Sequence, residues 1–126
     1  MKILVVDDDV DIHRIALLAL TRHSQHQVVV AASGEEAIAT AIREQPDVVV
    51  LDLHMPGMDG FATMAALQAS PAVAGIPVIM LSASFTREER RRMNEIGLAG
   101  LLRKPLRPAT MAEQIEEIVA SRATQT

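Results

Sequence analysis

Five short apolar segments alternate along the chain with longer segments of mixed polarity. They predict strands at 3–6, 28–31, 48–51 and 76–81 and a weaker fifth at 100–102. Within each segment the apolar residues are nearly continuous, which is typical of strands covered on both faces of a parallel sheet. The pattern therefore predicts a parallel sheet with helices packed on both sides.

The segments between the strands have helical spacing, and several begin or end at recognisable caps. Ser33 and Glu36 have the spacing of a capping box, as do Thr86 and Glu89. Gly97 stands where the second of these helices needs a left-handed residue at its end. These signals predict helices that start after residues 33 and 86.

Strand and helix alternate throughout, without a linker, an internal repeat or a low-complexity stretch. Pro108 suits the first turn of a last helix that runs to about Ala120. We therefore predict one domain over residues 1–122 with a frayed tail at 123–126. Five strand–helix units joined by right-handed crossovers imply a three-layer α/β sandwich, although alternation alone leaves the strand order open.

Residues capable of chemistry follow the predicted strands at their carboxyl ends. Asp7 and Asp8 follow the first strand, and Asp52 follows the third. Ser82 and Lys104 follow the fourth and fifth. In an open parallel sheet these ends share one edge, where ligands bind.

Three carboxylates brought to one edge repel one another unless a cation joins them, and Mg²⁺ prefers such oxygen ligands. A lysine and a hydroxyl beside them can contact a phosphoryl group. A carboxylate nucleophile with Mg²⁺, a lysine and a hydroxyl suits phosphoryl transfer, in which alignment and charge neutralisation matter most. The expected product is an aspartyl phosphate on Asp52.

Four sequence motifs occur in one order along the chain. They are Ile-Leu-Val-Val-Asp-Asp-Asp at 3–9, Asp-Leu-His-Met-Pro-Gly-Met-Asp-Gly at 52–60, Leu-Ser-Ala at 81–83 and Lys-Pro at 104–105. Together they resemble the receiver domain of two-component response regulators over nearly the whole chain. The resemblance implies a flavodoxin-like fold with a parallel sheet in the order 2-1-3-4-5.

The resemblance also assigns roles to the residues of the site. It implies that Asp52 is the phosphoacceptor, that Ser82 is the switch hydroxyl and that Lys104 contacts the phosphoryl group. The bond before Pro105 is expected to be cis. The donor would be a sensor histidine kinase or a histidine phosphotransfer protein, and the downstream effector is not specified. Catalysis would be limited to the domain's own phosphorylation and dephosphorylation.

For the metal, the resemblance implies a Mg²⁺ ion held by Asp52 and by Asp8 directly, with Asp7 acting through water. The backbone carbonyl of His54 would complete the protein ligands. The His54 side chain lies two residues beyond the nucleophile, where it could govern the access of water. Changing His54 is therefore expected to alter dephosphorylation more than phosphorylation.

One position departs from the family pattern. Receivers usually carry Tyr or Phe three residues before the lysine, and this ring changes position when the hydroxyl moves onto the phosphoryl group. Leu101 stands there instead. We therefore do not expect this domain to signal through that ring.

Two surfaces are candidates for contact with partners. Ile12, Ile15, Ala16 and Ala19 form the predicted inward stripe of a first helix over 10–23, which leaves Leu17 pointing away and Leu18 at the margin. Such exposure indicates a docking surface, which in receivers commonly meets the phosphodonor. The predicted fourth helix carries four arginines interleaved with glutamates, which is typical of an ion-paired face and is also a candidate output surface. These arginines are Arg87, Arg90, Arg91 and Arg92.

Composition excludes several classes of function. The chain has no cysteine, only two aromatic residues, Phe61 and Phe85, and a formal net charge of −4. Thiol catalysis and thiolate metal sites are therefore excluded, and binding of nucleic acid by the domain as a whole is disfavoured. His13, His23 and His26 lack zinc-ligand spacing and are expected to be exposed to solvent. No apolar run is long enough for a signal peptide or a membrane span, so a cytoplasmic protein is expected.

Two other functions compete with the receiver reading. Asp7 and Asp9 could form the Asp-x-Asp of a Mg²⁺-dependent phosphatase of the haloacid dehalogenase type, but that would leave Asp52 unexplained and the chain has no cap insertion for substrate selection. A flavin-binding electron carrier of the same topology would need more aromatic rings and a phosphate-binding loop after the first strand.

Overall fold

The structure is a computed structural model that describes residues 1–22 and 26–124. Its strands and helices alternate as the sequence predicted. In chain order they are β1 (Lys2–Val6), α1 (Val10–Thr21), β2 (Gln27–Ala31), α2 (Gly34–Glu44), β3 (Val48–Asp52), α3 (Gly60–Gln68), β4 (Val78–Ser82), α4 (Arg87–Glu95), β5 (Gly100–Arg103) and α5 (Met111–Thr124). In the described part of the chain, no helix has the length and apolar character needed to cross a membrane.

The five strands form one parallel sheet in the order β2-β1-β3-β4-β5. This order confirms the flavodoxin-like fold that the resemblance implied. Asp52 on β3 pairs with Leu81 on β4, and Ser82 pairs with Arg103 on β5. The register therefore places the carboxyl ends of β3, β4 and β5 side by side.

The hydrophobic core lies on both faces of the sheet. Successive residues of the central strands alternate between two clusters, so that Val49 and Leu51 face one side while Val48 and Val50 face the other. β3 and β4 are buried at every position, which explains their continuous apolar sequence. Burial of each apolar side chain of these strands stabilises the fold by about 1.5–3 kcal/mol.

Several element boundaries differ from the predicted ones. β4 begins at Val78 instead of residue 76, because the Ile76 N–H donates to Val73 O in the preceding turn and Pro77 has no N–H for the ladder. α1 ends at Thr21, and the predicted last residue, His23, lies outside the described residues.

The last helix also has different bounds. α5 begins at Met111 and reaches Thr124, beyond the predicted end near Ala120. Pro108 lies in the turn that leads into this helix, three residues before Met111, where the N–H groups of Thr110 and Met111 both donate to Arg107 O. Of the expected frayed tail, residues 125–126 lie outside the described residues.

Local capping signals were partly confirmed. Thr86 and Glu89 form the predicted capping box at the start of α4, and Gly97 has a φ of 74° just beyond its end. Ser33 caps α2 through the Glu36 N–H. The Glu36 carboxylate, however, accepts from the Ala32 N–H at 3.3 Å, one residue before the N-cap, so the predicted reciprocal bond is wrong.

A close approach at Gly60 brings the start of α3 against the end of β3. A Cβ atom at this position would lie 2.7 Å from the backbone oxygen of Asp52 and 2.8 Å from the Cα of Leu53. The Gly60 N–H donates to Leu53 O at 2.9 Å. Glycine therefore allows the segment after Asp52 to fold back closely, which determines where residues 53–59 lie.

Candidate functional site

Three carboxylates meet at the carboxyl edge of the sheet. Asp7 and Asp8 follow β1, Asp52 ends β3, and one oxygen from each lies within 4.8 Å of the others. Asp7 and Asp52 are buried at 0% and 3% exposure, whereas Asp8 is exposed. The structure thus brings together the carboxylates that the sequence placed at separate strand ends, since parallel strands end on one edge.

Lys104 lies between the two buried carboxylates. Its Nζ is 2.9 Å from Asp7 Oδ2 and 3.4 Å from Asp52 Oδ1. Burial by itself lowers the pKa of this lysine, but the hydrogen bonds and charges of the two aspartates outweigh it and raise the pKa. The peptide bond between Lys104 and Pro105 is cis, as the resemblance implied.

The electrostatics of the site favour a protonated Asp52 more than is usual for an aspartate. Burial is the largest cause, and the charge of Asp7 adds to it, so that the pKa of Asp52 is raised to about 6. Lys104 and the His54 N–H, which donates to Asp52 Oδ1 at 3.3 Å, lower the pKa but do not cancel the increase. At a pH above this pKa of about 6, the carboxylates of the site carry more negative charge than Lys104 neutralises.

The donor set fits a divalent cation that prefers oxygen. Asp7 Oδ1 accepts the Asp9 N–H at 2.9 Å, but no hydrogen bond of good geometry reaches the buried Asp7 Oδ2 from any described residue. The positive charge of Lys104 lies beside this atom, with Nζ 2.9 Å away. Two buried carboxylates, an exposed third and one incompletely satisfied oxygen match the ligands that Mg²⁺ takes in proteins.

Ser82 lies at the site, but its hydroxyl is bonded elsewhere. The side chain is 1% exposed, and its Oγ donates to Ser84 O at 2.5 Å, within the loop that joins β4 to α4. To contact a group on Asp52, the hydroxyl has to leave this carbonyl. Leu101 is half-buried and packs against the core cluster beside Met80, its partner on β4.

Histidines make contacts that the sequence did not predict. His13 Nε2 lies 2.7 Å from Asp7 O, next to the carboxylate cluster. His26 is nearly buried, at 10% exposure of its side chain, between the N-terminal amine and Glu116 on α5. The expectation of solvent exposure is wrong for His26 and only partly right for His13, while His23 lies outside the described residues.

The His54 ring is exposed but contacts α4. Its Nε2 lies 2.8 Å from Glu89 Oε2. The pKa of Glu89 is lowered, first by the Thr86 backbone N–H and then by the His54 ring. The sequence did not predict the contact between Glu89 and His54, because no local pattern links residues 35 apart.

Two surfaces flank the site at a distance. Leu17 is 49% exposed, as predicted, and Leu18, which was expected at the margin of the buried stripe, is more exposed still at 62%. Leu18 lines a groove of about 550 Å³ between α1 and the β5–α5 turn.

On α4, Arg91 pairs with Glu88 and Glu95, as predicted for an ion-paired face. The rings of Phe61 and Phe85 are covered by Arg92 and by Arg90 with Arg103, respectively.

Comparisons with known proteins agree with this geometry. The family model described as "Response regulator receiver domain" matches residues 3–116. The chain is 37% identical over 105 residues to the response regulator PleD of Caulobacter vibrioides, covering 83% of this chain and 23% of PleD. It is 36% identical over 118 residues to the probable transcriptional regulator ycf27 of Porphyridium aerugineum, covering 94% of this chain and 48% of that protein.

Among solved structures, the chemotaxis protein CheY4 of Vibrio cholerae superposes with a TM-score of 0.85 at 30% sequence identity, covering 93% of this chain and 97% of that one. The chain therefore spans nearly all of that solved structure, but only 23% to 48% of the length of the two relatives named above.

Proposed function

The chain belongs to the response regulator receiver domain family, and from this premise we propose that it accepts a phosphoryl group on Asp52 in a Mg²⁺-dependent reaction. The donor is a sensor histidine kinase or a histidine phosphotransfer protein. The observation that carries the proposal is the convergence of Asp52 with Asp7, Asp8 and Lys104 at one edge of the sheet. The proposal includes the cytoplasmic location expected from the sequence and a domain over residues 1–122.

In the proposed reaction, a carboxylate oxygen of Asp52 bonds to phosphorus while the bond from phosphorus to the donor breaks and the donor keeps the electron pair. Burial and the nearby Asp7 raise the pKa of Asp52 to about 6, so the nucleophile is ionised at neutral pH. Lys104, now shared between Asp7 and Asp52, neutralises charge on the phosphoryl oxygens.

Asp7, Asp8, Asp52 and the His54 carbonyl would hold the metal ion. When bound, Mg²⁺ supplies charge neutralisation and alignment of the phosphoryl oxygens. Without it, the surplus negative charge of the three carboxylates opposes the approach of a phosphate ester. The proposal therefore predicts that removing divalent metal stops the reaction although the protein remains folded.

The signal is a population shift. A phosphoryl group on Asp52 competes for Lys104 with Asp7 and for the Ser82 hydroxyl with Ser84 O. Phosphorylation therefore favours the arrangement in which the Ser82 hydroxyl leaves the Ser84 carbonyl. The loop that joins β4 to α4 then changes conformation. The arginine-rich surface of α4 begins at this connection and is the proposed contact for an effector. The receiver catalyses its own phosphorylation and dephosphorylation and acts on no separate substrate.

The phosphatase alternative is not favoured. Asp9, which would have to act as its second aspartate, caps α1 by accepting the Asp11 N–H at 2.9 Å. The electron-carrier alternative lacks support as well, because each of the two phenylalanine rings is covered by an arginine.

The decisive test is the intact mass of the wild-type protein after incubation with acetyl phosphate. With Mg²⁺ we expect one added phosphoryl mass, because the oxygen ligands and Lys104 then neutralise the incoming group. With a chelator in place of Mg²⁺ we expect no addition. Addition that is unaffected by the chelator would contradict the metal-dependent reaction, and no addition under any condition would contradict self-catalysed phosphorylation.

We further propose that the exposed leucines of α1 dock the phosphodonor. Replacing Leu17 and Leu18 together by alanine should slow transfer from a phosphorylated histidine phosphotransfer protein about tenfold or more, because apolar contact area is lost at the interface. Phosphorylation by acetyl phosphate should be unchanged. The control is Ile42→Ala, which truncates a leucine-sized side chain of similar exposure, 46%, on α2. Unslowed transfer by the double variant would exclude this docking site.

A further inference from the structure

Glu89 holds two groups with its two carboxylate oxygens. Oε1 accepts the Thr86 N–H at 2.8 Å and so closes the capping box of α4, in which the Glu89 N–H donates to Thr86 Oγ1 at 3.0 Å. Oε2 lies 2.8 Å from His54 Nε2. A helix cap and a contact to the segment after the phosphoacceptor therefore share one side chain.

His54 connects this carboxylate to the site. Its backbone N–H donates to Asp52 Oδ1 at 3.3 Å, while its ring reaches Glu89. The ring thus spans the gap between the end of β3 and the start of α4, on the side of the site that the β4–α4 loop forms. Asp52 is itself only 3% exposed, so water reaches it only when neighbouring groups move, and His54 is one of the residues in direct contact with it.

The contact restrains a ring that would otherwise be mobile. The His54 side chain is 53% exposed, whereas that of Glu89 is 23% exposed and already ordered by its bond to Thr86. Fixing an exposed ring costs rotamer entropy, which a partner that is already in place reduces. Glu89 therefore orders the ring at little further entropic cost.

We propose that Glu89 is a positioning residue that holds the His54 ring at the opening of the site and so limits the access of water to phosphorylated Asp52. This inference rests on the proposed phosphorylation of Asp52. In the hydrolysis that it restrains, a water oxygen bonds to phosphorus and the bond from phosphorus to Asp52 breaks. The carboxylate keeps the electron pair, and phosphate leaves with the protons of the water. Because Glu89 also closes the capping box of α4, the lifetime of the phosphoryl group then depends on the position of the first turn of α4.

The test measures the loss of the phosphoryl mass after wild type and variants have been loaded with acetyl phosphate and Mg²⁺ and the donor has been removed. Glu89→Ala should accelerate hydrolysis about threefold to tenfold, with little change in the rate of loading. Glu89→Gln keeps a capping-box side chain and one hydrogen bond to the ring, so its acceleration should be smaller. Glu88→Gln, an exposed change on the same helix, should leave hydrolysis unchanged.

A double-mutant cycle separates positioning from capping. His54→Ala alone should accelerate hydrolysis as much as Glu89→Ala does, and adding Glu89→Ala to it should have no further effect. Equal acceleration by Glu89→Ala with and without His54 would show that it acts through the helix cap and would overturn the proposal. Unchanged or slower hydrolysis in Glu89→Ala would overturn it as well. Failure of wild type to gain the phosphoryl mass would instead overturn the proposed function on which it rests.

Discussion

Replacing Asp52 by asparagine is expected to abolish phosphoryl incorporation and to stabilise the metal-free protein at neutral pH. The loss follows from removal of the nucleophilic oxygen, since no other carboxylate of the site ends β3. The stabilisation follows from the pKa of about 6, because a buried carboxyl with a raised pKa opposes folding once it is ionised.

The pH dependence of this stabilisation follows from the direction of the shift. The ordinary pKa of the carboxyl is 3.8 and the folded-state pKa is about 6. Its contribution to stability is therefore fully present below pH 3.8 and is lost as the pH rises through about 6. A shift of this size corresponds to at most about 3 kcal/mol, and losing the contact with Lys104 offsets part of it. We expect Asp52→Asn to gain about 1–2 kcal/mol at pH 7.5 and less near pH 5.

Denaturant unfolding with a chelator present at pH 7.5 and pH 5 measures the free energies, and intact mass after incubation with acetyl phosphate measures incorporation. Asp11→Asn is the control, because Asp11 is exposed at 79% and pairs only loosely with Arg14, at 3.8 Å. It should change stability by no more than about 0.5 kcal/mol and should leave incorporation intact. A less stable Asp52→Asn protein at pH 7.5, or one that still gains a phosphoryl mass, would contradict the assignment of this residue.

Replacing Lys104 by methionine is expected to destabilise the metal-free protein by about 2–3 kcal/mol at pH 7.5, because it leaves two buried carboxylates without their cation. Asp7 Oδ2 and Asp52 Oδ1 lie 2.9 and 3.4 Å from Lys104 Nζ, and both aspartates are almost completely buried. The lysine itself is 22% exposed, which keeps the expected loss below that of a fully buried pair. Adding Mg²⁺ should restore part of the stability.

Lys2→Met provides a matched control for this prediction, since Lys2 and Lys104 are the two lysines of the chain. Lys2 Nζ lies 3.6 Å from Glu44 Oε1, and both side chains are nearly one-third exposed. Its replacement should cost less than about 1 kcal/mol and should not respond to Mg²⁺. Equal losses for the two variants, or no recovery of Lys104→Met with Mg²⁺, would contradict the proposed charge balance of the site.

Much of the fold was predictable because its signals lie within short stretches of sequence. Continuous apolar runs were sufficient to predict the strands, and the spacing of Thr86 and Glu89 was sufficient to predict the start of α4. The convergence of Asp7, Asp52 and Lys104 followed from one topological rule, that parallel strands end on one edge. Strand order came from the resemblance, since alternation of strand and helix is compatible with several orders.

Boundaries and capping partners were less predictable because competing local hydrogen bonds decide them. Pro108 is compatible with the first turn of a helix, yet α5 begins three residues later, at Met111, after a turn in which the Thr110 N–H donates to Arg107 O. Glu36 has the spacing of a capping box, yet its carboxylate accepts a hydrogen bond from the Ala32 N–H instead of from the N-cap. The energies that separate such alternatives are about 1 kcal/mol or less, below what a residue pattern can distinguish.

The sequence by itself determined which residues could form strands and helices and which chemical groups stand at the strand ends. Only the tertiary structure decided how those groups pair: Glu89 with His54, Ser82 with Ser84, and Lys104 with two aspartates at once. The physical reason is the distance along the chain over which each effect acts. Hydrophobic periodicity and capping act over about four residues, whereas pairing, burial and the resulting pKa of Asp52 depend on elements that packing brings together from distant parts of the chain.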